Sequence, residues 1–138
     1  MSEFVEGACL CGTVGYRIRR EILGFQYCHC SRCRRFTGSA HASNCFVRPD
    51  ALEWTSGEDR VGTFVLDAEP GFPTAFCTNC GSSLPAMSTT GRYWVIPAGT
   101  LSEDPGLPPT QSIFWGSRAP WFVDVSQLPR HDELPPAG

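Results

Sequence analysis

Eight cysteines are the side chains whose type and spacing could do chemistry in this 138-residue chain. Seven of them stand in three tight groups: Cys9 and Cys11, then Cys28, Cys30 and Cys33, then Cys77 and Cys80. Cysteines with one or two residues between them are awkward disulfide partners but good joint ligands for a metal ion. The N-terminal residues also lack the basic and apolar regions of a secretory signal, and cytosolic thiols stay reduced. We therefore expect a cytoplasmic protein with zinc sites, rather than the alternative, a secreted disulfide scaffold.

The first and last groups each end in glycine, as Cys-Leu-Cys-Gly at 9–12 and Cys-Thr-Asn-Cys-Gly at 77–81. Glycine after the last ligand lets the chain turn with positive φ and aim backbone N–H groups at the thiolate sulfurs. Two such turns together supply four thiolates, which is the closed tetrahedral coordination of a structural zinc. A metal held by Cys9, Cys11, Cys77 and Cys80 would tie the start of the chain to its middle, and its binding energy would support folding.

The middle group, Cys28, Cys30 and Cys33, offers three thiolates in one short turn with no glycine after it. Three protein ligands and one open position are typical of a catalytic zinc. The alternative is a second structural site in which His29, His41 or Cys45 completes the tetrahedron. His29 is a poor candidate because the side chain between two ligands should point elsewhere. A lone cysteine such as Cys45 is more often a small buried apolar residue.

Three arginines, Arg32, Arg34 and Arg35, crowd the same turn as the middle cysteine group. Guanidinium groups there would offset the negative charge of three thiolates around a zinc ion. They would also attract an anionic substrate through charged hydrogen bonds. The alternative for each of them is an ordinary solvated surface arginine. Trp115 and Trp121 could wall such a site, although packing in the core is the prediction that we favour for both.

The composition excludes several classes of function. The formal net charge is −3, which argues against nucleic-acid binding by bulk charge. All 11 basic residues are arginine, so a catalytic Schiff base or a phosphate-binding lysine is excluded. No apolar run approaches the roughly 18 residues of a membrane span. We expect one domain over residues 1–138, with a core at about 5–125 and a loosely held C-terminal tail; nothing in the pattern specifies an oligomeric state.

The pattern of the chain is β almost throughout, because short runs that alternate apolar and polar residues are separated by glycine and proline turns. One helical turn is predicted at 31–36, directly after the middle cysteine group. Many short strands with frequent turns predict antiparallel sheets packed on one another. The predicted strands cover residues 13–19, 22–27, 43–47, 52–55, 61–66, 74–77, 93–96 and 112–115.

Five segments occur in an order that resembles one protein family, and they span residues 7–121. They read GACLCGTV at 7–14, CHCSRCR at 28–34, FCTNCGS at 76–82, AGTL at 98–101 and SRAPW at 117–121. This set resembles the glutathione-dependent formaldehyde-activating enzyme and centromere protein V family. The last two segments are weak alone, but together with seven placed cysteines the set is specific.

The resemblance implies an all-β, tent-like fold of stacked antiparallel sheets held by structural zinc. It implies two zinc ions per chain: a structural one held by Cys9, Cys11, Cys77 and Cys80, and a catalytic one held by Cys28, Cys30 and Cys33. The implied activity is that of a carbon–sulfur lyase that joins a small thiol, glutathione, to formaldehyde. Arg32, Arg34 and Arg35 are then the natural partners for the carboxylates of glutathione.

One position departs from the family pattern. Members commonly carry histidine in the motif Pro-x-x-His-Ile-Phe, and the matching stretch at 109–114 has Ser112 at that place.

Two other functions stay open at this point. The chain could be a non-catalytic zinc module that binds a macromolecular partner, or, by analogy of fold alone, a nucleotide-exchange factor. Membrane and nucleic-acid partners are not expected.

Overall fold

The computed structural model describes residues 2–137, and Met1 and Gly138 of the predicted domain lie outside the described residues. Residues 2–137 form eleven short strands and one α-helix. The elements are β1 (Phe4–Ala8), β2 (Gly15–Arg19), β3 (Gly24–Cys28), α1 (Ser31–Thr37), β4 (Ala42–Val47), β5 (Leu52–Ser56), β6 (Val61–Leu66), β7 (Phe72–Cys77), β8 (Ser83–Leu84), β9 (Ala86–Met87), β10 (Trp94–Pro97) and β11 (Gln111–Ile113). Single turns of 3-10 helix cover Pro49–Ala51, Glu58–Arg60, Ala98–Thr100, Trp115–Ser117 and Val125–Gln127.

The strands form three sheets with the orders β1-β2-β5, β11-β3-β4-β10-β9 and β6-β7-β8. All pairings are antiparallel except that of β11, which runs parallel to β3. The prediction of an all-β protein with several stacked sheets is therefore confirmed, and the single parallel edge differs from it. Residues 29–110 separate β3 from β11, and such a long crossover permits a parallel pair where a hairpin would not.

The main core lies between the first and second sheets. Its largest member is Tyr16, which is fully buried and whose hydroxyl lies 2.6 Å from Thr100 Oγ1. Burial of the ring raises the pKa of Tyr16 above its usual range. The buried residues of this core are Val5, Tyr16, Ile18, Cys45, Val47, Ala51 and Ile96.

Two regions in the last third of the described chain contain no strand or α-helix. The loop 102–110 has neither, and the described tail 128–137 is exposed throughout. None of the helices among residues 2–137 is long and apolar enough to cross a membrane.

Candidate functional site

The structure brings four thiols together at the end of the third sheet, and we call Cys9, Cys11, Cys77 and Cys80 the four-thiol cluster. Their sulfurs all lie within 4.8 Å of one another. The Sγ–Sγ distance is 3.7 Å from Cys9 to Cys11 and 3.9 Å from Cys11 to Cys77. A tetrahedral zinc with bonds of about 2.3 Å needs sulfurs about 3.8 Å apart. These two distances match that spacing, so the four thiols fit the tetrahedral coordination of a zinc ion.

The two glycines that close these turns have the backbone conformation expected from the sequence. Gly12 has φ 79° and Gly81 has φ 78°, values that side chains other than glycine rarely adopt. The N–H of Gly12 donates to the carbonyl of Cys9 at 3.1 Å, and that of Gly81 donates to the carbonyl of Cys77 at 2.7 Å. Each glycine thus turns the chain back over its own pair of cysteines.

Hydrogen bonds to the sulfurs favour the thiolate form that a metal requires. The backbone N–H of Val14 donates to Cys9 Sγ at 3.3 Å, and the side-chain amide of Asn79 donates to Cys11 Sγ at 3.2 Å. The hydroxyl of Thr13 lies 3.2 Å from Cys11 Sγ. Hydrogen bonding by Thr13, and then by Asn79, lowers the pKa of Cys11 to about 5. Thr13 and Asn79 were not singled out from the sequence, although both lie within two residues of a predicted ligand.

A second group of thiols, Cys28, Cys30 and Cys33, meets where β3 passes into α1, and we call it the three-thiol cluster. The sulfurs lie within 4.8 Å of one another, and no further Cys, His, Asp or Glu of the described chain joins them. Cys28 and Cys33 are buried, whereas Cys30 is half-buried. A hydrogen bond from Cys33 lowers the pKa of Cys28 to about 6, and the same contact, with burial, raises the pKa of Cys33.

The local sequence explains why the helix starts at this cluster. Cys30 is the N-cap residue, with extended backbone, and its sulfur accepts the N–H of Cys33 at 3.3 Å. The first turn of α1 therefore brings the thiols of Cys30 and Cys33 close together. Gly38 ends the helix in the left-handed conformation, with φ 67°.

The side chains considered as a fourth ligand lie elsewhere. The ring of His29 is 1% exposed and packs with its centroid 5.1 Å from those of Trp115 and Phe122. Burial, and then the nearby positive groups, lower the pKa of His29. His41 stacks on Tyr27 with the ring centroids 4.2 Å apart. Cys45 is fully buried in the main core, and its burial raises its pKa to about 11.

The three predicted arginines separate into two positions. Arg32 donates from Nη1 to the carbonyl of Pro70 at 2.6 Å, so that it holds the β6–β7 loop. Arg34 and Arg35 line a pocket of about 290 Å³, which we call the arginine pocket. Its lining residues are Ser31, Arg34, Arg35, Gly38, Ser39 and Trp121. The spacing 31, 34, 35, 38 is one face of a helix, and this signal could have found the pocket from the sequence.

The prediction that two tryptophans pack in the core is wrong. Trp115 is 47% exposed and Trp121 is 65% exposed. The guanidinium of Arg118 covers the Trp115 ring at 4.5 Å from its centroid. Trp121 follows Pro120 in a turn and lines the arginine pocket.

Ser112, at the position of the family's common histidine, is exposed on β11. In the parallel pairing it lies opposite Tyr27, one residue before the pair formed by Ile113 and Cys28. The hydroxyl thus occupies the strand next to the one that leads into the three-thiol cluster.

Comparison with known proteins decides the family. A family model described as glutathione-dependent formaldehyde-activating enzyme matches residues 4–117. The chain belongs to this family. The resemblance inferred from the five sequence segments is therefore confirmed, and the two cysteine clusters lie inside the matched range.

The fold of the family is also found in a solved structure. A crystal structure of a Rhodobacter sphaeroides protein superposes with a TM-score of 0.60 at 20% sequence identity. The match covers 78% of this chain and 98% of the other. At this identity the likeness supports the fold and not a shared substrate. No curated protein matches the chain at a significant level.

Proposed function

We propose that this protein is a zinc-dependent carbon–sulfur lyase that joins a small thiol such as glutathione to formaldehyde or acts on a related thiol adduct. The observation that carries the proposal is the contrast between the two clusters. One has four thiols and would leave a zinc ion no free position, whereas the other has three and would leave one. Membership of the family supports the reaction class.

The roles of the two metals follow from this contrast. We propose that Cys9, Cys11, Cys77 and Cys80 hold a structural zinc, and that Cys28, Cys30 and Cys33 hold the catalytic one. When bound, zinc supplies Lewis acidity, which keeps a coordinated thiol deprotonated near neutral pH.

All eight cysteines are free thiols, and this fits a reducing compartment and supports a cytoplasmic location.

The reaction needs few groups from the protein. The S–H bond of the thiol breaks, the sulfur forms a bond to the carbonyl carbon of formaldehyde, and the proton ends on the former carbonyl oxygen. We propose that Arg34 and Arg35 hold a carboxylate of the thiol, since charged hydrogen bonds of this kind orient a substrate. Arg32 was predicted to share this role, but its bond to Pro70 supports a role in holding the loop.

The proposal is tested by the rate at which the zinc-loaded protein forms S-hydroxymethylglutathione from glutathione and ¹³C-formaldehyde, measured by exchange NMR. We expect two zinc ions per chain and a rate above that of the uncatalysed reaction. Cys30→Ala should lose one zinc ion and the rate enhancement together, because it removes one of the three thiols.

Cys45→Ala is the matched control, since it removes a thiol that lies outside both clusters. It should keep two zinc ions and the wild-type rate. A protein that holds two zinc ions and gives no acceleration would refute the proposed enzyme. That result would favour the alternative of a non-catalytic zinc module that binds a macromolecular partner.

A further inference from the structure

The arginine pocket carries an uncompensated positive charge. Neither Arg34 nor Arg35 forms an ion pair or a side-chain hydrogen bond among residues 2–137, where the five ion pairs use Arg17, Arg19, Arg20 and Arg48. The Nε of Arg34 is buried and has no hydrogen-bond partner in this part of the chain. A buried donor without an acceptor costs free energy. An acceptor supplied by a ligand would remove that cost.

No acidic side chain of the described residues 2–137 lines this pocket. Besides Arg34 and Arg35, the lining residues are Ser31, Gly38, Ser39 and Trp121, which bring hydroxyl groups and an indole ring. These groups can donate hydrogen bonds to a carboxylate and cover a flat or apolar group beside it. A ligand ammonium, in contrast, would meet two like charges and no carboxylate.

From these features we infer which end of the thiol substrate the pocket binds. The geometry points to a carboxylate that has no ammonium group beside it; this inference rests on the proposed function. Glutathione has one carboxylate of each kind. The glycyl carboxylate is flanked only by a peptide group, whereas the γ-glutamyl carboxylate shares its carbon with an ammonium. The pocket therefore selects the glycyl end, and the γ-glutamyl end stays outside it.

The reach of the ligand is consistent with this assignment. Cys33 and Arg34 are neighbours on α1, and the pocket begins about 100° around the helix from the buried cysteine. From its cysteine to its glycyl carboxylate, glutathione is two residues, which span about 7 Å when extended. An α-helix with its side chains is about 10–12 Å across. A thiol at the three-thiol cluster can therefore place its glycyl carboxylate on the adjoining face.

Calorimetric titration of the zinc-loaded protein with three thiols tests the inference. The thiols are glutathione, its glycyl monoethyl ester and N-acetylglutathione. We expect the ester to bind at least tenfold more weakly than glutathione, because esterification removes the charge that the arginines bind. N-acetylation should change the affinity less than threefold, because the ammonium is not recognised.

Variants identify the groups responsible. Arg35→Ala should weaken glutathione binding about tenfold and retain both zinc ions. This variant should bind the ester and the acid with equal affinity. Arg34→Ala should act in the same direction. The matched control is Arg92→Ala, which removes an exposed arginine in the turn before β10 and should leave all three affinities unchanged.

The inference is overturned if the ester binds as tightly as glutathione, if N-acetylation is the change that abolishes binding, or if glutathione does not bind at millimolar concentration. Failure of the proposed function looks different. In that case the zinc-loaded protein gives no acceleration of adduct formation, yet still discriminates between the acid and its ester. If the protein accelerates adduct formation equally for the acid and the ester, the proposed enzyme activity is supported. The assignment of the glycyl carboxylate to the arginine pocket is then refuted.

Discussion

Replacement of Cys77 by serine should strongly destabilise the protein, because it opens the link between the start and the middle of the chain. Cys77 is fully buried at the end of β7, and its sulfur lies 3.9 Å from that of Cys11, 66 residues earlier. With zinc bound, the four-thiol cluster closes this loop as a cross-link does. Serine is a poor zinc ligand, so the variant should lose both the metal and the closure.

The loop length sets the size of the effect. Closing a loop of this length lowers the entropy of the unfolded chain by an amount worth about 4 kcal/mol at 25 °C in the chain-entropy description of cross-links. Domains of this size are stable by only about 5–15 kcal/mol. For a chain of this length, a loss of about 4 kcal/mol lowers Tm by roughly 14 °C.

The assay is thermal unfolding followed by circular dichroism, with zinc content measured on the same samples. Cys45→Ser is the matched control, because Cys45 is equally buried in a strand but belongs to neither cluster. It places a hydroxyl in the core without loss of metal and should cost only about 1–3 kcal/mol. If Cys77→Ser keeps two zinc ions, or if its Tm falls no further than that of Cys45→Ser, the reasoning is refuted.

Three further outcomes are expected. Mild chelation should remove one zinc ion first, from the three-thiol cluster, and abolish activity with an unchanged circular dichroism spectrum; simultaneous loss of both ions and of the fold would argue against separate roles. Gly81→Ala should lower the free energy of unfolding by about 1–2 kcal/mol through backbone strain alone, since its Cβ meets open space, whereas Gly99→Ala, also in open space but without a positive φ, should not. Burial raises the pKa of Cys45 to about 11 from 9.0. The stability that the buried neutral thiol contributes is therefore complete below pH 9 and is lost as the pH rises to about 11. The loss in the free energy of unfolding is up to roughly 2–3 kcal/mol. Between pH 8 and pH 11, the free energy of unfolding measured in urea should fall less for Cys45→Ala than for the wild type. Equal falls in the two proteins would contradict the raised pKa of Cys45.

The sequence predicted most of the longer strands, since alternation of side chains and the turns that bound it are local signals. Strand β6 and the start of α1 lie where the pattern placed them, at 61–66 and at residue 31. Strand β1 was not predicted, although Phe4–Ala8 is as long as β2, because its two buried positions are Val5 and Gly7, and glycine adds no apolar side chain to the alternation. The two-residue strands β8 and β9 are defined by their pairing with β7 and β10. A strand of two residues is too short to show alternation in the sequence.

The grouping of the cysteines followed from spacing and the terminal glycines, and the structure brings together the same two sets. The surroundings of the clusters were harder to predict. Whether Arg32 faces a substrate or a loop carbonyl depends on Pro70, 38 residues away. The exposure of Trp121 depends on a turn after the last sheet, and apolar character alone favours the core for such a residue. Contacts of this kind are tertiary and cannot be read from one segment.

The short helix α1 divides its surface between two tasks. Cys33 faces the protein interior with the other thiols, while Arg34 and Arg35, the next two residues, face the arginine pocket. We expect a substitution of either arginine to alter what the pocket can bind without removing a thiol from the three-thiol cluster. Under the proposed function, descendants of one ancestor could therefore exchange one acidic thiol for another by single substitutions over evolutionary time while the three cysteines stay unchanged. The side of this seven-residue helix that lines the arginine pocket is where divergence of substrate among relatives should be sought first.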